Sequence, residues 1–174
     1  DNMKLLMVSD IHGDFKSLEK VLKNESFNRL VVLGDLFSYG KIILDLNNNE
    51  IIKLLKKYKD KLILIRGNCD YFINYEKIGL YANDIITIRV NNHDITLTHG
   101  NRYYRGFMPD FHGDIFASGH THIPSIIKER DIIYINPGSI GLPRSGSQKS
   151  YLVFDDNYIE IKTIDGALEK RMNI

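Results

Sequence analysis

Arg29-Leu30-Val31-Val32-Leu33-Gly34-Asp35 is the stretch from which the rest of the chain can be read. Four apolar residues in a row, ended by Gly-Asp, form a short strand buried on both faces with a carboxylate at its C-terminal end. A Gly-Asp pair after a strand is, by itself, a common turn. Four further apolar runs also end in metal-binding residue types: Asp10-Ile11-His12, Gly67-Asn68, His99-Gly100 and Gly119-His120-Thr121-His122. With Asp35 they make seven candidate ligands at five strand ends. The pattern predicts a binuclear metal site with Asp35 as the shared bridge.

Outward from that strand, residues 4–9 are a first strand. Asp14 offers an N-cap to a helix over about 15–23, with Leu18, Val21 and Leu22 on its buried face. The quoted strand covers 30–33. Residues 41–49 are polar and partly irregular, with Asn47-Asn48-Asn49 as a break. A second helix follows over about 50–58, then a strand over 62–65. Strand, helix, strand, helix, strand is the signature of parallel βαβ units. The second half changes rhythm: 85–90, a turn at 91–94 and 95–98 read as a hairpin. Residues 101–113 are a Tyr-, Arg- and Gly-rich loop with room for one helical turn. Strands are expected at 115–117, 126–128, 132–135, 151–154 and 158–163. No repeat or low-complexity segment interrupts this, so the reading is one α/β domain with two sheets over residues 3–174. Asp1 and Asn2, ahead of Met3, are set aside as a remnant.

Composition narrows the class. A chain of 174 residues, 43% hydrophobic and 26% charged, is long enough for a substantial core. Lys and Arg total 23 against 22 Asp and Glu, so no basic field argues for a nucleic-acid surface. The single Cys69 cannot form an intramolecular disulfide. No apolar run approaches the ~20 residues of a bilayer span, and Lys4–Val8 is followed at once by Ser9-Asp10, unlike a signal peptide. The expected location is the cytoplasm. Tyr and Phe on the 72–81 and 101–111 loops permit a homo-oligomer without requiring one.

In open α/β sheets, ligands collect beyond the carboxyl ends of the strands, where all seven candidates fall. One residue separates Asp10 from His12, so both can point at one ion from an extended loop; His120 and His122 repeat the spacing. Asp35 has two oxygens for two cations, Asn68 a neutral carbonyl oxygen, and His99 a ring nitrogen. Taken singly, each piece has an ordinary reading as a chance pair, a turn or a loop. Their joint occurrence, each after an apolar run, carries the metal reading. A mixed nitrogen and oxygen set suits Mn, Fe, Zn or Ni better than Ca, and Mg remains open.

Asp10-x-His12, Gly34-Asp35, Gly67-Asn68, His99-Gly100 and Gly119-His120-x-His122 resemble the five motifs of the calcineurin-like metallophosphoesterases. The resemblance runs from Lys4 to about Phe154. Arg66-Gly67-Asn68-Cys69-Asp70 and Ile135-Asn136-Pro137-Gly138-Ser139 resemble the small YfcE-type phosphodiesterases in particular. The resemblance implies a four-layer αββα sandwich of two mixed sheets flanked by helices. It also implies one ion on Asp10, His12, Asp35 and His122, another on Asp35, Asn68, His99 and His120, and Mn²⁺ as the metal. Two such ions ~3.5–4 Å apart lower the pKa of a bridging water, whose hydroxide would attack phosphorus in line. The substrate expected is a small phosphodiester.

Many metallophosphoesterases carry His where Cys69 stands, and that His can protonate the leaving group. A thiol, with pKa ~8.5, is a poorer donor, so diesters of acidic alcohols are expected substrates. Asp70 is expected to orient or support that group. The Ser/Thr protein phosphatases continue Gly-Asp into Asp-Arg-Gly, whereas Leu36-Phe37-Ser38-Tyr39-Gly40 follows here. Tyr103, Tyr104 and Arg105 are close enough to His99 to line a substrate pocket, and equally fit ordinary loop packing. His93 and His112 read as solvated, Arg144 as a weak phosphate candidate, and Asn136–Ser139 as a turn that the resemblance brings near the metals. Two other functions share the fold: a non-catalytic scaffold like the retromer subunit of eukaryotes, and a phosphomonoesterase. The full ligand set favours the enzyme over the scaffold.

Overall fold

The first three apolar runs pair in parallel, as successive βαβ crossovers require. In the computed structural model, which describes residues 2–37 and 46–174, β1 (Leu5–Val8) lies beside β2 (Arg29–Val32), and β2 beside β3 (Leu62–Leu64). The crossovers are α1 (Phe15–Asn24) and α2 (Leu46–Lys57). Asp14 caps α1 by accepting from the Ser17 amide, and Leu18, Val21 and Leu22 form its buried face. Asn47-Asn48-Asn49, expected as a break, instead lies in the first turn of α2, and Asn48 is buried. Asn is weak in helix interiors but favoured at N-termini, so the triplet marks a start. The expectation for residues 41–45 lies outside the described residues, as does that for Asp1.

The antiparallel strands β9 (Ser150–Phe154), β10 (Tyr158–Thr163) and β11 (Leu168–Asn173) complete a six-stranded mixed sheet in the order β11-β10-β9-β1-β2-β3. A second mixed sheet contains β4 (Ile85–Val90), β5 (His93–Thr98), β6 (Ile115–Ala117), β7 (Ser125–Glu129) and β8 (Ile132–Asn136), in the order β4-β5-β6-β8-β7. The β4–β5 hairpin is tighter than expected. Asn91 and Asn92 alone form its turn, at φ 49° and 66°, and His93 pairs with Val90. His93 Nδ1 also donates to Asp114 at 2.7 Å, so it is not a solvated turn residue. β11 was not legible in the sequence: Leu168–Asn173 is mostly exposed and charged, an edge strand without apolar alternation.

Alternation along the strands sorts the core into two layers. Leu6, Val8, Leu30, Val32 and Leu64 face α1 and α2. Leu5, Met7, Val31, Leu33 and Ile63 face the other sheet and meet Ile95, Leu97, Ile115, Ala117 and Ile135 there. The two-sheet sandwich of the metallophosphoesterase type is therefore the fold. Among the described residues both α-helices pack on the six-stranded sheet, and residues 101–113 contain no helical turn. No helix among the described residues is long and apolar enough to cross a membrane.

Glu25, just past α1, ties the helix to the sheet. It accepts from Lys4 at 3.0 Å, Tyr151 at 2.7 Å and Lys162 at 3.1 Å. Burial pushes its pKa up, but these three donors outweigh burial and hold it below the ordinary value of 4.5. Its stabilisation is thus present above the unfolded-state value and lost as pH falls. Glu25→Gln is expected to cost about 1–3 kcal/mol in denaturant unfolding at neutral pH. The gap from the parent chain should narrow as pH drops below 4.5; a constant gap would remove the charge from this account.

Candidate metal centre

Each candidate ligand sits just past the C-terminal end of a strand: Asp10 and His12 after β1, Asp35 after β2, Asn68 after β3, His99 after β5, His120 and His122 after β6. The loops bend sharply to bring them together. Asp10, His12, Asp35, His120 and His122 have φ of 51°, 45°, 57°, 69° and 62°, five of the nine non-glycine residues with positive φ among those described. Each such residue costs ~1–3 kcal/mol and persists only where its surroundings over-determine it. Both x-spaced pairs, Asp10/His12 and His120/His122, share this left-handed conformation at each end. Glycine at 67 leaves the space that Asp35 occupies: a Cβ there would lie 2.1 Å from Asp35 Oδ1. One at Gly119 would lie 2.7 Å from Asp10 Oδ2.

The side chains form two groups joined through Asp35. In the first, Asp10 Oδ1 lies 3.2 Å from His122 Nε2 and 3.6 Å from His12 Nε2, and the two imidazole nitrogens are 3.3 Å apart. In the second, His120 Nδ1 lies 3.3 Å from His99 Nε2 and 3.0 Å from Asn68 Oδ1. Asp35 Oδ2 stands between them, 3.7 Å from His12 Nε2 and 3.2 Å from His99 Nε2. Asp10, His12, Asp35, His99 and His122 are buried, whereas Asn68 is exposed.

Backbone carbonyls fix the imidazole tautomers. His99 Nδ1 meets Leu33 O at 2.6 Å, His122 Nδ1 meets Leu142 O at 2.5 Å, and His12 Nδ1 meets Phe37 O at 3.3 Å. A carbonyl only accepts, so each Nδ1 carries a proton, and each Nε2 turns a lone pair inward when the ring is neutral. Asp10 Oδ2 accepts from Ser9 Oγ and the His120 amide, but buried Oδ1 has no hydrogen-bond partner. An orphaned carboxylate oxygen amid inward-facing nitrogen lone pairs fits a cation. Asp10 with His12 and His122, and Asp35 with His99 and His120, each offer donor atoms within 4.8 Å of one another, as do His12, Asp35 and Cys69.

Asp70 lies beneath this cluster and is fully buried. Its oxygens accept from the amides of Asp35 at 2.8 Å, Leu36 at 2.9 Å and Gly67 at 2.9 Å, so it joins the Asp35 and Gly67 turns. Cys69, half-buried, donates its amide to Asp35 Oδ1 at 2.8 Å. Asn136 donates to Gly119 O and Thr121 Oγ1, and Ser139 Oγ to Asp10 O, so the Asn-Pro-Gly-Ser turn braces the metal loops. Ser9 and the carbonyls of Leu33, Phe37 and Leu142 were missed by the sequence reading. A lone serine and main-chain oxygens carry no pattern. His112 is exposed, and the amide of exposed Arg144 donates to His122 O.

Nitrogen and oxygen donors thus gather at the strand ends of a two-sheet sandwich. The model of the calcineurin-like phosphoesterase superfamily domain matches residues 3–157, and the chain belongs to that family. It is a phosphoesterase of a kind that works with divalent metal ions. Phosphodiesterase YfcE of Escherichia coli K12 is 28% identical over 167 residues, 91% of each chain. The solved structure of that phosphoesterase matches with a TM-score of 0.86 at 27% identity, covering 99% of this chain and 100% of the other. Vacuolar Protein Sorting 29 from Cryptosporidium parvum matches with a TM-score of 0.70 at 16% identity, over 99% and 98% of the two chains, and shares the fold alone.

Electrostatics set a pH dependence. Burial pushes Asp10 up, but His12 and His122 outweigh it and hold its pKa well below the carboxylate range. Burial pushes His99 down, but Asp35 outweighs it and raises the pKa; Asp10 raises that of His122 against burial. Burial, then His99, lowers His120. Raised imidazoles keep their protons to higher pH, and an incoming cation must displace them. Mn²⁺ affinity, measured by calorimetric titration, is expected to fall at least about tenfold for each unit by which pH is lowered through the raised range. Affinity independent of pH would contradict imidazole ligation.

Proposed function

We propose that the chain is a phosphodiesterase working with two divalent ions, Mn²⁺ first among them, on a small diester in the cytoplasm. The observation that carries this is the orphaned Asp10 Oδ1 facing imidazole nitrogens at 3.2 and 3.6 Å, with Asp35 between that group and a second one. Asp10, His12, Asp35 and His122 would hold one ion; Asp35, Asn68, His99 and His120 would hold the other. Such a pair supplies a nucleophile from water at neutral pH and neutralises charge on the phosphoryl oxygens.

The chain's own residues orient and exclude. Asp70 is a positioning residue: through three amides it holds the turns that carry Asp35 and Asn68. The Cys69 amide fixes the rotation of the Asp35 carboxylate. Asn68, exposed and 3.0 Å from His120, is open to a phosphoryl oxygen as well as to an ion. Arg144, exposed beside His122, offers a cation to the ester. The Cys69 thiol is a weak proton donor, so the leaving alcohol departs mainly on its own acidity.

Two readings compete. A scaffold would keep the fold, as the Vacuolar Protein Sorting 29 match illustrates, without needing the complete donor set. A phosphomonoesterase would differ only beyond the metals. Bis(p-nitrophenyl) phosphate and p-nitrophenyl phosphate, assayed on chelator-stripped protein with Mn²⁺ restored, separate all three. The expected result is metal-dependent turnover, faster on the diester than the monoester and slower on dialkyl diesters. Asp35→Ala should lower it by at least about a hundredfold, the upper range for losing even an outer partner of a ligand. No turnover with any divalent metal would favour the scaffold, and faster monoester turnover the phosphomonoesterase.

A further inference from the structure

One feature of the sequence that the metal centre leaves unused is the aromatic loop after His99-Gly100. Tyr104 and Phe107 exchange backbone hydrogen bonds at 3.1 and 2.8 Å around Gly106, whose φ is +104°. Tyr103 and Phe107 stack with centroids 6.0 Å apart. Arg105 Nε donates to Glu129 at 2.7 Å, which ties the loop to the end of β7. The turn is thus a built element that leaves Tyr104 half exposed.

Below it lies the outer face of the five-stranded sheet. Ser125 pairs with Asn136, and Ile127 with Tyr134, so two adjacent cross-strand pairs share that face. Tyr134 packs on Phe116 at 6.1 Å. Between loop and sheet is a cavity of about 400 Å³ lined by Tyr104, Arg105, His120, Ser125, Ile127 and Tyr134. This volume suits a small organic ligand, and its mixture of aromatic, apolar and hydroxyl groups suits a flat, polar-edged one. His120, one of the candidate ligands, is part of its lining, so the cavity adjoins the metal centre.

We infer that this cavity receives one organic arm of the diester and that the arm carries a nucleobase-like aromatic ring held against Tyr104. This rests on the phosphodiesterase reading above and deepens it. An alkyl chain would gain from Ile127 but would leave the hydroxyls of Ser125 and Tyr134 without a partner. A flat heteroaromatic ring stacks on one face and offers polar edges to the rest.

The test is calorimetric binding of adenosine 5′-monophosphate, methyl phosphate and hexyl phosphate to the Mn²⁺-loaded protein. Adenosine 5′-monophosphate is expected to bind about tenfold tighter than methyl phosphate, within the range of one base stacked on one aromatic ring. Tyr104→Ala should erase that advantage, Tyr104→Phe should keep it, and Tyr81→Ala, at a remote exposed site, should leave it intact. The inference is overturned if the nucleotide has no advantage, if Tyr104→Ala preserves it, or if hexyl phosphate matches it. In each of those cases metal-dependent diester hydrolysis would stand. If no phosphate ester binds and none is hydrolysed, both readings fall together.

Discussion

Electron pairs facing one another in a buried space are the constraint to which the rest of this structure answers. Asp10 Oδ1 has no donor, and the His12 and His122 Nε2 atoms lie 3.3 Å apart with lone pairs turned inward. Removing a polar group such as Asp10 Oδ1 from water without a compensating hydrogen bond costs several kcal/mol, on the order of 2–7. The chain does not relieve this by rotating the rings. It locks them, through the carbonyls of Leu33, Phe37 and Leu142, in the orientation that concentrates acceptors. Five ligand-type residues at positive φ add backbone strain to the same point. A cation bound there, as proposed, would turn each of these costs into ligation.

The two sheets are arranged around that point. Asp35 comes from one sheet and His99 from the other, and the His99 ring hydrogen-bonds Leu33 across the sandwich. The apolar layer of Leu5, Met7, Val31, Leu33, Leu97 and Ala117 between the sheets therefore sets the distance between the two ligand groups. Close packing leaves little freedom in that distance. Asp70 plays the matching role at short range, since one buried carboxylate holds both the Asp35 and the Gly67 turns. Asp70 follows directly on Asn68-Cys69, so the segment that presents one candidate ligand also anchors the turn of another, Asp35.

Much of this was legible in the sequence because apolar runs and turn residues are local signals. The runs ending at Asp10, Asp35, Asn68, His99 and His120 are strands that end where the residues change type. Asp14 caps α1 as its position suggested. What escaped was non-local or unpatterned. Asn47–Asn49 could be a break or a helix start, and only packing decides. Leu168–Asn173 forms an edge strand because β10 offers it hydrogen bonds, not because of its own alternation. The braces on the metal loops are a serine and backbone carbonyls, which no residue pattern announces. Seven candidate ligands were readable because side-chain chemistry is written in residue type, and the structure brings them together. Their tautomers and the orphaned oxygen required coordinates.

The outer face of the five-stranded sheet carries the part of function that strand ends cannot specify. There the 101–113 loop, in place of an α-helix, leaves a cavity opening onto His120. On the proposal above, what lies over that sheet would decide which ester the centre serves. All of it presupposes a pair of cations around one carboxylate. Anomalous diffraction at the manganese edge from Mn²⁺-soaked crystals tests this most directly. Two peaks should flank Asp35, one beside Asp10 and His122, the other beside His99 and His120. A single peak, or none near Asp35, would contradict the account.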